Sequence, residues 1–195
     1  MVGNAFSHYL KVLLGMEDPI TQTSENERKS LEKYAANAKV AVEIGVFEGV
    51  NTALIAKSIN ENGVLYGIDP FFKGKIGVCY SKLITRSHLK STNTLNKVKL
   101  IEKLSFEAAD DVPENIDFLF IDGDHSLEGI QKDWELFSKK IRPGGIVALH
   151  DTNATGQNSH IHGLGSIAYF KEVISNDPRF AYVESVDSLN VLRKA

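Results

Sequence analysis

Five titratable residues fall in two short runs that could do chemistry together, Asp122-Gly123-Asp124-His125 and His150-Asp151. Each run follows an apolar, β-branched stretch, Ile116–Ile121 and Gly145–Leu149. Both should therefore sit at C-terminal strand ends, the edge where open α/β sheets hold their ligands. Two chemistries compete. In one, Asp122 and Asp151 hold a hard cation such as Mg²⁺, with Thr152, Asn153 or Asp124 completing an oxygen shell; the ion would orient an oxygen nucleophile and lower its pKa. In the other, His125 or His150 is a general base, because imidazole titrates close to neutral pH. A structural role competes with both, since Ser126 reads as the cap of the next helix and His125 as part of its entry. His160 and His162 lie in the following loop, where histidines are usually inert.

A second constellation lies upstream. The run Glu43-Ile44-Gly45-Val46-Phe47-Glu48-Gly49-Val50-Asn51-Thr52 places two glycines at a strand-to-helix turn, where backbone must bend tightly and approach a ligand. Asp69 follows Gly49 by 20 residues and closes the next strand, where a doubly wound fold holds ribose hydroxyls. Together they point to an adenosine-bearing ligand. A dinucleotide would set its pyrophosphate at this helix N-terminus, which disfavours a negative charge. Here Phe47 stands where a second glycine is expected and Glu48 is beside it. A carboxylate tolerates a cationic sulfonium, so the loop favours S-adenosylmethionine over NAD. Glu48 is equally explained as a first-turn acid that suits the helix dipole.

The elements that must position these residues follow from periodicity. Short β-type runs at Lys39–Ile44, Val64–Ile68, Val98–Ile101, Ile116–Ile121 and Gly145–Leu149 alternate with helical ones, which predicts a parallel sheet. Leu127, Ile130, Trp134, Phe137 and Ile141 mark one face of a helix that must end before Pro143 and Gly144. Helical residues over about 166–175 and strands Phe180–Ser185 and Leu189–Arg193, joined as an antiparallel hairpin, complete the chain. Ahead of the first strand, Phe6, Tyr9, Leu10, Leu13 and Leu14 recur at helical spacing, which predicts an amphipathic helix with one buried stripe. Ser24 and Glu27 form a capping box that starts a second helix running to about Ala36. The expected organisation is one domain, with residues 1–37 a helical extension and 38–195 a catalytic core.

At 195 residues the chain is long enough to bury a core without staples. A net charge of −3 with mixed signs gives no signature for nucleic acid or a membrane surface, and no segment has the length to span a bilayer. The single cysteine, Cys79, excludes an internal disulfide and a thiolate zinc cage. The apolar run Ala5–Met16 is interrupted by His8 and Lys11 and lacks a secretion signal's cleavage site. A cytoplasmic location is expected. One charge asymmetry stands out: between Pro70 and Ile101 there is no acid, against Lys73, Lys75, Lys82, Arg86, Lys90, Lys97 and Lys99. It reads either as a solvated helix face or as a basic lid, hinged at Phe71 and Phe72, that recruits an anionic acceptor. With Tyr80 its only further aromatic, the run matches no nucleic-acid module.

These motifs, with Tyr66-Gly67-Ile68-Asp69-Pro70 and Pro143-Gly144-Gly145, resemble those of class I S-adenosylmethionine-dependent methyltransferases from the second helix to the terminal hairpin. The block Asp117–His125 through His150-Asp151 is similar to the methyltransferase domain 24 group, whose relatives include O-methyltransferases acting on sugars and catechol-like hydroxyls. The resemblance implies an α/β, doubly wound Rossmann-like fold with a seven-stranded sheet of order 3-2-1-4-5-7-6, strand 7 antiparallel. It implies that Glu43, Gly45 and Gly49 cradle the methionine part, Asp69 holds the ribose, and Leu104, Ser105 and Phe106 flank the adenine. Val46, Phe47, Asn51, Thr52, Pro70 and Asp122 complete the cofactor site. Catalysis falls to His125, Asp122 and His150, and an Mg²⁺ site to Asp122, Asp151 and Asn153. Catechol-type relatives carry a carboxamide directly after the second aspartate, where this chain has Thr152. Phe47 departs from the glycine common in the class.

The implied function is S-adenosylmethionine-dependent methyl transfer to a small-molecule hydroxyl. The rivals are a nonenzymatic S-adenosylmethionine-binding protein, an NAD(P)-dependent oxidoreductase and a metal-dependent oxygenase. The N-terminal helices either cover the sheet or form a homodimer contact.

Overall fold

The computed structural model describes residues 2–156 and 158–195, with side chains at 2–4 and 159 outside the description. Seven strands, β1 (Val40–Ile44), β2 (Val64–Ile68), β3 (Val98–Ile101), β4 (Ile116–Ile121), β5 (Ile141–Leu149), β6 (Phe180–Val186) and β7 (Leu189–Lys194), form one sheet in the order β3-β2-β1-β4-β5-β7-β6. Strand β7 runs antiparallel to both neighbours and the other pairings are parallel. This is the order the resemblance implied.

Among the described residues, seven α-helices flank the sheet: α1 (Val2–Leu13), α2 (Glu25–Ala35), α3 (Val50–Ser58), α4 (Tyr80–Ser91), α5 (Ser105–Ala108), α6 (Leu127–Phe137) and α7 (Gly165–Glu172). The central strands are continuous apolar runs because both faces are covered. One core gathers Val42, Ile44, Leu119 and Ile121 against Trp134 and Phe137 of α6 and Phe170 of α7. The other sets Ala41, Phe118 and Phe120 against Leu31 of α2 and Ile55 of α3.

The structure corrects three expectations. Strand β5 starts at Ile141, not Gly145: its pairing with β4 jumps from Ile116↔Ile141 to Phe118↔Ile146, so Pro143-Gly144 loops out of the ladder with Gly144 at φ 76°. Ile141 thus belongs to the strand, while Leu127 on the helix is exposed. The last helix ends at Glu172, and a single 3₁₀ turn, Ile174–Asn176, follows it. The stripe on α1 is largely open, with Leu14 just beyond its end 70% exposed. The helix leans on α4 through Phe6 and Tyr9, each ring 5.8 Å from that of Tyr80. No described helix is long and apolar enough to cross a membrane.

Candidate active site

Strand β1 ends on the glycine loop, and backbone pairing continues past the strand ends to hold it. Gly45 N–H donates to Ile68 O (2.9 Å), and Asp122 N–H to Ile44 O (2.8 Å). Gly45 has φ 92°, and a Cβ there would lie 2.0 Å from the carbonyl oxygen of Asp122. The close approach that demands this glycine is therefore to the β4 end, not only to a ligand. Phe47 has φ 53°, the left-handed conformation that glycine adopts freely, which accounts for glycine being usual here. Asp69 pins this turn: Oδ2 accepts from the N–H of Val46 (3.1 Å) and Phe47 (2.9 Å), and Oδ1 from Phe71 (2.7 Å).

Above the loop lies a cavity of about 590 Å³. Of the residues read as cofactor contacts, Gly45, Val46, Phe47, Asn51, Asp69, Pro70, Leu104, Ser105 and Asp122 line it. Gly49 instead precedes α3 at φ 81°, where a Cβ would lie 2.9 Å from Thr85 Cγ2, and Phe106 faces solvent under Lys132. Glu43 and Thr52 are wholly buried outside the cavity wall, with no hydrogen-bond partner within distance and angle limits. Burial pushes the Glu43 carboxyl well above the usual carboxylate range; the Thr52 hydroxyl opposes this, and the charges of Asp122 and Asp69 add to it.

A second cavity, of about 630 Å³, adjoins the first and shares Gln22 and His125 with it. At their junction His125 Nε2 lies 3.6 Å from both Asp122 Oδ1 and Asp151 Oδ2. The His125 backbone is fixed by the N–H of Ser166 donating to its carbonyl, while Ser126 caps α6 by accepting from Gly129 N–H. The helix-entry reading of His125 thus holds, and its side chain lies at the junction of the two cavities. Asp151 adopts φ 51°, and its carbonyl accepts from the Ser166 hydroxyl (2.6 Å).

His150 departs from the expectation of a base. It is 3% exposed, with Nδ1 2.9 Å from Asp122 Oδ1 and Nε2 3.5 Å from Glu27 Oε2, both contacts off hydrogen-bond alignment. Burial opposes its charge, but Asp122 and Glu27, with Asp151 behind them, outweigh that and raise its pKa to about 10. Burial likewise opposes ionisation of Glu27, yet His150, Ser188 and the Ser24 N–H hold it at about 2. His150 is thus a buried imidazolium that ties carboxylates together.

Of the residues implied for Mg²⁺, Asp122 and Asp151 both face His125 at the junction, while Asn153 is tied to the turn that follows β6. The Asn153 amide donates to Asp187 O (2.8 Å) in the β6–β7 turn, and Thr152 Oγ1 is taken up between Leu149 O and the Asn190 amide. The donor atoms that do converge, within 4.8 Å of one another, belong to Asp122, His125 and His150. Two nitrogens and one carboxylate suit a borderline transition ion better than Mg²⁺, which prefers oxygen.

Three features escaped the sequence reading. Ile20, Thr21 and Gln22, between α1 and α2, form a wall of the first cavity. Glu48 does not face it: the carboxylate is buried, accepting from Ile20 N–H (2.6 Å) and facing His8 Nε2 (3.1 Å). Its argument for a cationic ligand therefore falls, and it serves to hold the strap. Among the described residues no Lys or Arg lines either cavity. Lys82 pairs with Glu102, Lys97 reaches Ile59 O, and Lys99 covers the Tyr66 ring, whereas Phe72 of the expected hinge lines the first cavity. Of the loop histidines, His160 lines the second cavity and His162 lines neither.

A seven-stranded sheet with β7 reversed and a cavity over the C-terminal ends of β1, β2 and β4 defines the class I methyltransferase fold. The chain belongs to the methyltransferase domain 24 family, whose model, described as a methyltransferase domain, matches residues 42–152. Probable caffeoyl-CoA O-methyltransferase 3 of Dictyostelium discoideum is 29% identical over 137 residues, 67% of this chain and 50% of that protein. An uncharacterized protein of Acanthamoeba polyphaga mimivirus is 30% identical over 115 residues, 56% of this chain and 50% of its own. The chain thus spans about half the length of these relatives. The O-methyltransferase from Bacillus cereus, solved in complex with SAH, superimposes with a TM-score of 0.66 at 18% identity, covering 98% of this chain and 91% of that one.

Proposed function

We propose that this protein transfers a methyl group from S-adenosylmethionine to a hydroxyl of a small molecule. The observation that carries the proposal is the pair of adjoining cavities with His125 at their junction. In this reading the first cavity takes the adenosyl ligand, with Asp69 for the ribose, the Gly45–Phe47 backbone for the methionine part and Leu104 and Ser105 for the adenine, all of which line it. Bound S-adenosylmethionine supplies a methyl on a sulfonium, which passes to an incoming oxygen with the carbon–sulfur electron pair left on sulfur.

The chain's own part is alignment and proton removal. His125 takes the hydroxyl proton, and the carboxylates of Asp122 and Asp151 stabilise the imidazolium it becomes. His150, already charged, balances those carboxylates and is a positioning residue. Gln22 and the strap before α2 shield the junction from water. No step is assigned to a metal.

Incubation with S-adenosylmethionine labelled in the methyl group and a panel of polyols and phenols tests this reading. Label on an acceptor oxygen with matching S-adenosylhomocysteine supports it; stoichiometric ligand binding without transfer to any acceptor would favour a nonenzymatic binding protein.

A further inference from the structure

We infer that His8 is a positioning residue for the first cavity: bridged between Glu17 and Glu48, it clips the strap that joins α1 to α2 shut against the glycine loop. The N-terminal helix is thereby a latch on that site. The inference rests on the methyl-transfer reading only for the identity of the ligand behind the strap.

The strap is fastened at two points beside the start of α3. In its first half, Glu48 Oε2 accepts from the Ile20 N–H (2.6 Å) and lies 3.1 Å from His8 Nε2. Further along, Thr23 Oγ1 donates to Asn51 Oδ1 (2.8 Å). Ile20, Thr21 and Gln22 lie on the wall of the first cavity, and the Ile20 side chain is 50% exposed. Closure of the strap therefore depends on its fasteners more than on apolar burial. The helix before it is lightly held as well. Its apolar stripe is open to solvent, and its aromatic contact with α4 is limited to Phe6 and Tyr9 against Tyr80. His8 is the side chain that ties this helix to both the strap and the glycine loop.

The geometry fixes the state of the ring. Nδ1 lies 2.8 Å from Glu17 Oε2 while Nε2 faces Glu48, and an ionised carboxylate can only accept. Both nitrogens must then carry hydrogen, so the clip is an imidazolium between two carboxylates. Contacts with Glu17 first and Glu48 second raise its pKa above 6.5, against the opposing effect of burial. These two are the charged groups that act on the ring; Lys11, on its own helix, is held by the other oxygen of Glu17 (2.6 Å), and α4 meets α1 here through the Tyr80 ring. A neutral imidazole has one N–H and can donate to one carboxylate only. Loss of the proton therefore frees either the start of the strap or the glycine loop. The clip is fully closed below pH 6.5 and opens as pH rises through the raised folded value.

Two measurements on the full chain between pH 6 and pH 9 test the clip. Amide hydrogen exchange of the free protein, corrected for the intrinsic rate at each pH, reads closure at the Ile20 N–H, with α6 as the internal reference. Calorimetric titration with S-adenosylhomocysteine reads the consequence for the cavity. In wild type, strap protection and affinity should both fall by about fivefold or more across that range, as loss of a charge-assisted contact implies, while α6 keeps its protection. His8→Gln, which cannot donate to both carboxylates, should show the high-pH behaviour throughout. His8→Arg, which keeps the charge and several donors, should hold the low-pH behaviour throughout. Strap protection that ignores pH in wild type, a pH response that survives His8→Gln, or a strap that opens while affinity stays constant would overturn the inference. If His8→Gln lowers α6 protection as well, the comparison of wild type with His8→Arg decides. If S-adenosylhomocysteine binds at no pH, the methyl-transfer reading fails, and the exchange measurement still decides whether His8 holds the strap.

Discussion

The two cavities differ in how they are made. The first is built largely from contiguous runs, Gly45–Phe47, Asp69-Pro70, Leu104-Ser105 and Asp122–His125, each at the end of a parallel strand. The second is assembled from the strap before α2, the loop after β5 and the β6–β7 turn, so its parts lie over 160 residues apart in the chain, as Glu27 and Ser188 show. A binding surface made of strand ends is specified by local rules, because each strand must finish in a turn of defined geometry. A surface made of pieces that meet only after folding depends on tertiary ties.

The largest effect should separate chemistry from binding. His125→Ala removes the proposed base at the junction and should lower methyl transfer by about 10²–10⁴-fold, with S-adenosylhomocysteine affinity kept. If turnover is preserved, the two cavities do not meet at a catalytic group. Steady-state kinetics beside calorimetry would decide it.

Next comes the tie that assembles the second cavity. Glu27 completes the capping box of α2, accepts from the N–H and hydroxyl of Ser188, and faces His150. Glu27→Gln should destabilise the fold by roughly 1–3 kcal/mol, since it weakens several buried contacts to one charged group. The sign with pH is defined: a carboxyl held at about 2 when folded and near its usual 4.5 when unfolded stabilises the fold above pH 4.5, and that contribution disappears as pH falls towards 2. For His150, raised to about 10, the contribution is full below 6.5 and is lost as pH rises through 10. Denaturant melts at pH 3, 7 and 10 would show the variant closest to wild type at pH 3. An equal deficit at all three would show that Glu27 acts by packing and not by charge.

The smallest effect concerns the buried acid beneath the glycine loop. Glu43 is wholly buried, which raises its folded pKa above that of the unfolded chain, so stability falls as pH rises past 4.5. Glu43→Gln removes that penalty and should be close to neutral at pH 4 and stabilising at pH 7. A variant less stable at pH 7 than at pH 4, relative to wild type, would mean that the buried carboxyl is ionised.

What was legible in the sequence follows the same division. Strand alternation, the Ser24–Glu27 capping box and the register of Asp69 with the glycine loop rest on short-range geometry, and all are present in the fold. Phe47 shows why a departure from the usual glycine is informative: its left-handed φ preserves the turn with a bulky residue in place. The roles of Glu48, His150 and Asn153 were not legible, because each is decided by a partner from a distant segment: Ile20 and His8, Glu27, and Asp187. The basic run misled for a related reason, since its cations are close in sequence but line neither cavity.

The most direct test of the central claim is calorimetric titration of wild type and Asp69→Ala with S-adenosylmethionine, S-adenosylhomocysteine and NAD. The account predicts that both adenosyl ligands bind and NAD does not. Asp69→Ala, which frees the N–H groups of Val46, Phe47 and Phe71, should weaken the adenosyl ligands by about tenfold or more. Binding of NAD with no binding of either adenosyl ligand would contradict it.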